Sequence, residues 1–167
     1  MKTLYLVRHA KSDWGDVSLK DFDRPLNARG YGDAPAMGKY LKSKEEVPEF
    51  IVASPSLRTT STAHILSEQL GKDAQQIHFN DSIYEASVRE LLNAVNALDD
   101  QYNSVMLIGH NPASTYLAEY LTNEEIGNMP TCSVVKIVFD LKRWEEISQN
   151  TGSSEFFITP KTLEESA

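Results

Sequence analysis

Two arginines and two histidines stand just behind apolar runs of this 167-residue chain, where a buried strand would hand the backbone over to a loop. Arg8-His9 closes the run at residues 3–7. Arg58 follows Phe50-Ile51-Val52-Ala53 by way of Ser54-Pro55-Ser56, and Gly109-His110-Asn111 closes Val105-Met106-Leu107-Ile108. Arginine presents a planar fork of donors that grips two phosphoryl oxygens at once. Neutral imidazole, with an ordinary pKa of ~6.5, is largely deprotonated near pH 7 and can act as a nucleophile or proton carrier. Two of each, brought to one edge of a fold, would hold a dianionic ligand against a reactive ring.

The elements that must bring them together can be read from periodicity. In an open parallel sheet, ligands bind beyond the carboxyl ends of the strands, so the residues just after each apolar run are the ones to inspect. Residues 3–7, 50–53 and 105–108 read as buried strands, 76–79 as a short strand, and 134–139 and 156–159 as two late ones. A polar stretch at 11–24 reads as a long loop. Asn27 can cap a helix that continues to about residue 42, although Gly30, Gly32 and Pro35 disfavour a helix interior and Asp33 offers a second start. Residues 56–70 read as a helix. Val88, Leu91, Leu92, Val95 and Leu98 repeat at helical spacing, and Asn111-Pro112 supplies a cap and a first-position proline for a helix through Leu121. Strands separated by helices predict a three-layer α/β/α sandwich with a mostly parallel sheet, one domain over residues 1–160 with a polar tail at 161–167.

Two of the four residues sit awkwardly for stability. Arg58 falls in the first turn of its helix, where a cation opposes the macrodipole at a cost of ~0.3–1 kcal/mol. His110 falls at the mouth of another, beside backbone N–H groups that lack intrahelical partners and attract anions. His64, inside a helix, and His78, in a short strand, read as structural.

Composition narrows the partners. With 41% apolar residues, seven prolines and eight glycines, the chain has the material for an ordinary core. Sixteen Lys and Arg against twenty-four Asp and Glu give a formal charge of −8, the wrong sign for a protein bound to nucleic acid or to anionic membranes. The single cysteine, Cys132, cannot build a disulfide framework or a cysteine-rich metal site, reads as a small buried hydrophobe, and suits a reducing compartment. The apolar stretch at the N-terminus is interrupted by Arg8 and has no small-residue cleavage site. No window approaches the ~18 consecutive apolar residues of a membrane span. A cytoplasmic protein is expected.

Leu6-Val7-Arg8-His9-Ala10 resembles the Arg-His signature of the histidine phosphatase superfamily; Ala53-Ser54-Pro55-Ser56-Leu57-Arg58-Thr59 is similar to its second arginine segment, and Gly109-His110-Asn111 to its second histidine. Arg8-His9-Ala10-Lys11-Ser12, Asp23-Arg24-Pro25-Leu26, Gly109-His110-Asn111-Pro112 and Ile158-Thr159-Pro160-Lys161 resemble the short phosphohistidine phosphatases of the SixA type. The agreement runs from residue 4 to residue 161. The resemblance implies a phosphoglycerate mutase-like fold and a phosphatase needing no cofactor or metal. His9 would be the nucleophile, with Arg8, Arg58 and His110 neutralising the charge on the transferring group and water hydrolysing the phosphohistidine. Neighbouring Arg8 and Arg58 would keep His9 neutral by disfavouring a second positive charge. Ser12, Arg24 and Asn111 are expected as further substrate contacts.

Glu85, in Ile83-Tyr84-Glu85-Ala86-Ser87, follows the third strand and reaches the same edge. In relatives an acid from this region protonates the leaving oxygen; equally, Glu85 could cap the next helix or sit in its first turn. The expected substrate is phosphohistidine carried by a protein. Small phosphomonoesters, phosphoglycerate mutase chemistry and a phosphate-binding module without turnover are the alternatives. An iron site built from His9, His110 and Glu85 is opposed by two fixed cations. Glu85 and Val105 are about twenty positions apart, and one helix uses most of them. No insertion remains to roof the pocket, and the loop at 11–24 is too short for a lid, so an open cleft is expected.

Overall fold

Alternating burial along the strands sets the architecture. In the computed structural model, which describes residues 1–166, six strands form one sheet: β1 (Lys2–Arg8), β2 (Phe50–Ala53), β3 (His78–Phe79), β4 (Ser104–Gly109), β5 (Val134–Phe139) and β6 (Gly152–Ile158). Their order is β3-β2-β4-β1-β5-β6, with β1 to β4 parallel, β5 antiparallel to β1 and β6 antiparallel to β5. Leu4 and Leu6 of β1 enter one core with Val105 and Leu107 of β4, while Tyr5 and Val7 enter the other with Met106 and Ile108. This is the two-residue period of strands buried on both faces. Helices α3 (Val88–Asn96) and α4 (Ala113–Thr122) cover the first face through Leu91, Val95, Leu117 and Leu121. Helices α1 (Ala28–Ser43), α2 (Leu57–Gln69) and α5 (Pro160–Ser166) cover the second through Met37, Leu41, Leu66 and Leu163. The result is a three-layer α/β/α sandwich with a mostly parallel sheet.

Three elements differ from the pattern read in the sequence. Residues 161–166 of the expected tail continue from Pro160 as α5, because Leu163 has an apolar partner on the second face. Ala167 lies outside the described residues. β6 starts at Gly152, ahead of the apolar residues at 156–158; it is an edge strand, half open to solvent, and needs no apolar alternation over its first residues. β3 keeps only His78 and Phe79, after a 3-10 turn at Ala74–Gln76.

Helix α1 runs unbroken from Ala28 despite its glycines and proline, with the Asn27 side chain accepting from the Gly30 amide at 2.9 Å. Gly30 has a packing reason to be there: a Cβ at this position would collide with the Lys11 carbonyl oxygen. That carbonyl accepts from the Asn27 amide at 3.0 Å, and the Asp13 amide donates to the Pro25 carbonyl at 2.8 Å, so the two ends of the 11–24 loop are zipped together against α1. Helix propensity alone favours alanine over glycine by ~1 kcal/mol, but overpacking against backbone costs ~1–3 kcal/mol. Gly30→Ala is therefore expected to lower the urea unfolding free energy by up to ~2 kcal/mol. Stability at or above wild type would show that the loop is not clamped to the helix.

Candidate active site

The carboxyl edge of the sheet carries a cavity of about 340 Å³ lined by Arg8, His9, Arg58 and His110 together with Ser12, Trp14, Asp21, Arg24, Tyr84, Glu85 and Asn111. All eight residues singled out in the sequence thus meet on one wall or another of a single cavity. β1 brings Arg8 and His9 there from the middle of the sheet. The amide of Arg8 donates to Ser133, that of His9 to Gly109, and the Cys132 amide lies 2.9 and 3.0 Å from the carbonyls of Arg8 and His9. The next amide, of Ala10, donates to Thr62 Oγ1, which itself donates to the Arg58 carbonyl, tying β1 to the first turn of α2. Cys132 is buried, as its apolar reading implied.

His9 is held in one tautomer. Its Nδ1 lies 2.7 Å from the Ala10 carbonyl oxygen. A carbonyl only accepts, so Nδ1 carries the proton, and in the neutral ring Nε2 keeps its lone pair. Burial, chiefly, pushes the His9 pKa down to about 3, and His110, Arg58 and Arg8 push the same way against the Ala10 bond. The ring is a neutral base at pH 7.

His110 lies with its ring centroid 5.3 Å from that of His9. Its Nε2 is 2.8 Å from Ser54 Oγ and its Nδ1 is 3.5 Å from Arg58 Nη2. Guanidinium only donates, so Nδ1 is the acceptor and Nε2 carries the proton towards Ser54. Burial and then the charge of Arg58 bring its pKa down to about 4.

Arg58 is buried, 6% exposed, and is oriented by Asp21, which comes from a 3-10 turn at Asp21–Asp23 in the long loop. Arg58 Nη1 donates to the Asp21 carbonyl at 2.7 Å and Nη2 to its Oδ2 at 3.0 Å; the Tyr84 hydroxyl donates to the same Oδ2 at 2.8 Å. Partial burial raises the Asp21 pKa, but the bonds from Tyr84, Arg58 and Arg24 and the Arg58 charge outweigh it and hold the carboxyl at about 2. Among the described residues, the Nε atoms of both Arg8 and Arg58 are buried without a hydrogen-bond partner, and the Arg8 side chain makes a single bond, from Nη1 to the Met129 carbonyl. Both cations therefore enter the cavity with donor capacity unspent, which an isolated protein stability argument does not explain.

The remaining predicted residues divide. Arg24 is buried and committed: Nη1 donates to Ser12 Oγ at 2.9 Å, Nε to Asp21 Oδ1 at 3.2 Å, and its guanidinium carbon lies 3.3 Å from the Trp14 ring centroid. Asn111 accepts from the Thr115 hydroxyl and donates to the Met129 carbonyl, so its amide ties the start of α4 to the 128–130 segment while lining the cavity. The helix itself begins at Ala113, two residues after the expected cap. Glu85 is exposed on the cavity wall, in the left-handed region at φ 56. It is not the cap of α3, because Ser87 and Glu90 form a complete capping box there.

Asp21, Tyr84, Ser54 and Trp14 escaped the sequence reading. Ser54 directly follows β2 and the strand-end rule would have found it. Asp21 sits among several acids in a polar loop, with nothing in the sequence to set it apart. Among the described residues, no three His, Cys, Asp or Glu side chains come together as a group that could hold a metal ion.

A free-base imidazole between fixed cations, at the carboxyl edge of a parallel sheet, makes this an α/β protein whose cavity suits an anionic ligand. The sequence pattern of the histidine phosphatase superfamily (branch 1) matches residues 4–91, and the chain belongs to that superfamily. An uncharacterized chloroplastic protein of Arabidopsis thaliana is 30% identical over 159 residues, covering 90% of this chain and 72% of that protein. A protein from Agrobacterium tumefaciens assigned as the phosphohistidine phosphatase SixA superposes with a TM-score of 0.81 at 25% identity, covering 95% of this chain and 98% of that one. The protein histidine phosphatase SixA solved with tungstate gives 0.82 at 21% identity, covering 96% and 99%, a likeness of fold. Family and architecture together support a phosphatase activity.

The two histidines make acid stability a test of the site. Both have folded-state pKa values below the ordinary ~6.5 of an unfolded chain. Above that pH neither state is protonated and the full stability is present. Below it the unfolded chain binds protons that the folded one refuses, and stability falls by up to ~1.4 kcal/mol per pH unit for His9, less for the partly exposed His110, until their folded values near 3 and 4 are passed. Urea unfolding between pH 7 and pH 5 should show this slope reduced in the His9→Gln/His110→Gln protein; an unchanged slope would contradict the buried neutral rings.

Proposed function

We propose that this protein is a metal-independent phosphatase that carries the phosphoryl group on His9 and acts on phosphohistidine in proteins. The observation that carries the reading is the single-tautomer imidazole, buried, neutral, and ringed by Arg8, Arg58 and His110. Nε2 attacks phosphorus, and the leaving group departs with the bonding electrons as the N–P bond forms. Negative charge on the equatorial oxygens is met by the unspent donors of Arg8 and Arg58 and by the N–H of neutral His110. Water then attacks the phosphohistidine and releases phosphate and the free ring. Glu85, freed from helix capping and facing the cavity, serves as the acid that protonates an oxygen leaving group and as the base that takes the proton of water. An imidazole leaving group can bring its own proton and needs less of this help. Ser12, Arg24 and Asn111 act as positioning residues, since their polar groups are engaged with the protein.

Access supports a protein substrate. Between Glu85 and β4 the chain forms only α3 and its connection, and Leu91, Ala94 and Val95 bury that helix in the core rather than over the cavity. Lys11, Trp14, Asp21 and Glu85 are exposed around the mouth. An open cleft encloses a small sugar phosphate poorly, yet admits a phosphorylated side chain projecting from a surface. We place the activity in the cytoplasm, where an unpaired cysteine is ordinary. Among the described residues no helix is long and apolar enough to cross a membrane.

His9→Ala should abolish turnover while the protein still unfolds cooperatively, and Arg58→Ala should lower kcat/KM about a hundredfold, or ~3 kcal/mol of transition-state stabilisation. Activity should persist in EDTA. Substantial turnover by folded His9→Ala protein, or stoichiometric binding of a phosphorylated protein with no phosphate release by the wild type, would refute the reading.

Glu85→Gln separates leaving groups. A large loss is expected on an alkyl phosphate and a small one on an aryl phosphate or phosphohistidine, whose departing groups require less protonation. Equal losses on all three would remove Glu85 from acid catalysis. On the wild type, a kcat/KM for a phosphoglycerate above that for every phosphohistidine protein tried would overturn the substrate assignment.

A further inference from the structure

Trp14 is 71% exposed, yet its ring is not free to tumble. One face lies against the Arg24 guanidinium, 3.3 Å from ring centroid to the guanidinium carbon. Arg24 is itself buried, 7% exposed, and pinned edgewise by Asp21 and Ser12. A scattered exposed hydrophobe needs no explanation. This one differs, because a fixed cation holds the indole in a set pose, and the ring forms part of the wall of the cavity that contains His9. With one face on Arg24 and most of its surface in water, the other face is left open.

The direction of phosphoryl transfer decides what meets that face. Nucleophile, phosphorus and leaving group lie roughly in line. His9 is the buried end, 7% exposed, so the leaving group must lie on the far side of the phosphorus, towards the mouth where Trp14 stands. We propose that Trp14 is a specificity-determining residue whose open face stacks on a planar group bonded directly to the phosphoryl, so that the site prefers phosphorylated rings, imidazole or phenol, over phosphorylated alkyl chains. The proposal rests on the phosphoryl-site reading above and names what lies beyond the phosphoryl group. One aromatic pair corresponds to about three- to tenfold in affinity.

Non-hydrolysable phosphonates test it without turnover. Dissociation constants of phenylphosphonate, methylphosphonate and inorganic phosphate would be measured by calorimetry on the full chain, for wild type, Trp14→Ala and Trp14→Phe. Trp14→Ala is expected to weaken phenylphosphonate about three- to tenfold and methylphosphonate less than twofold, while Trp14→Phe keeps most of the preference. Phenylphosphonate, but not methylphosphonate, should also quench the exposed indole over the constant signal of buried Trp144. Equal weakening of both phosphonates by Trp14→Ala, or a wild type that binds inorganic phosphate and methylphosphonate with no preference for the phenyl compound, would overturn this proposal alone. A wild type that binds none of the three would overturn the phosphoryl-site reading and this proposal with it.

Discussion

The hydrogen bond from His9 Nδ1 to the Ala10 carbonyl, 2.7 Å long and buried, is the interaction on which the site depends. It chooses the tautomer, and so chooses Nε2 as the atom with a lone pair. Such a bond holds only if the backbone around it cannot shift. β1 lies between β4 and β5, and Gly109 at the end of β4 together with Cys132 and Ser133 just ahead of β5 binds the backbone at Arg8 and His9. Ala10 is secured in turn through Thr62 to the turn that carries Arg58. One strand end thus fixes a ring and, across a single side chain, the turn that carries Arg58.

Electrostatics then imposes its own constraint. Arg8, Arg24 and Arg58 face one cavity, and such cations repel one another in a partly buried setting. Asp21 relieves this by accepting from both Arg58 and Arg24, and its depressed pKa keeps it charged at neutral pH. The same carboxylate settles the guanidinium planes, so the long loop is a structural part of the site. Its zipped ends and the absence of a Cβ at Gly30 are what let it return to α1.

Arg8, His9, Arg58 and His110 were legible in the sequence because each follows an apolar run that is unmistakably a strand, and strand ends in parallel sheets converge. Glu85 was legible as a neighbour of the site but not as a free acid. The Ser87-x-x-Glu90 pattern that relieves it of capping was present in the sequence, four residues long and easily passed over. Asp21 and Tyr84 could not be read, since their importance lies in a contact across 63 positions that no periodicity encodes. Asn111 was read as a substrate contact by resemblance, and its amide lines the cavity while bonded to Thr115 and Met129. Likewise α5 had no helical stripe of its own, and Leu163 acquires meaning only against the second core.

The central claim is that a lone pair on His9 Nε2 receives the phosphoryl group, and its position can be measured. Rapid quenching during turnover of a labelled phosphorylated substrate, in base to preserve phosphoramidates, followed by peptide mapping and phosphorus-nitrogen NMR, locates the bond. The account predicts transient label on His9 alone, at Nε2. Label on Nδ1, on His110, or on any other side chain, or turnover without a labelled enzyme, would contradict it.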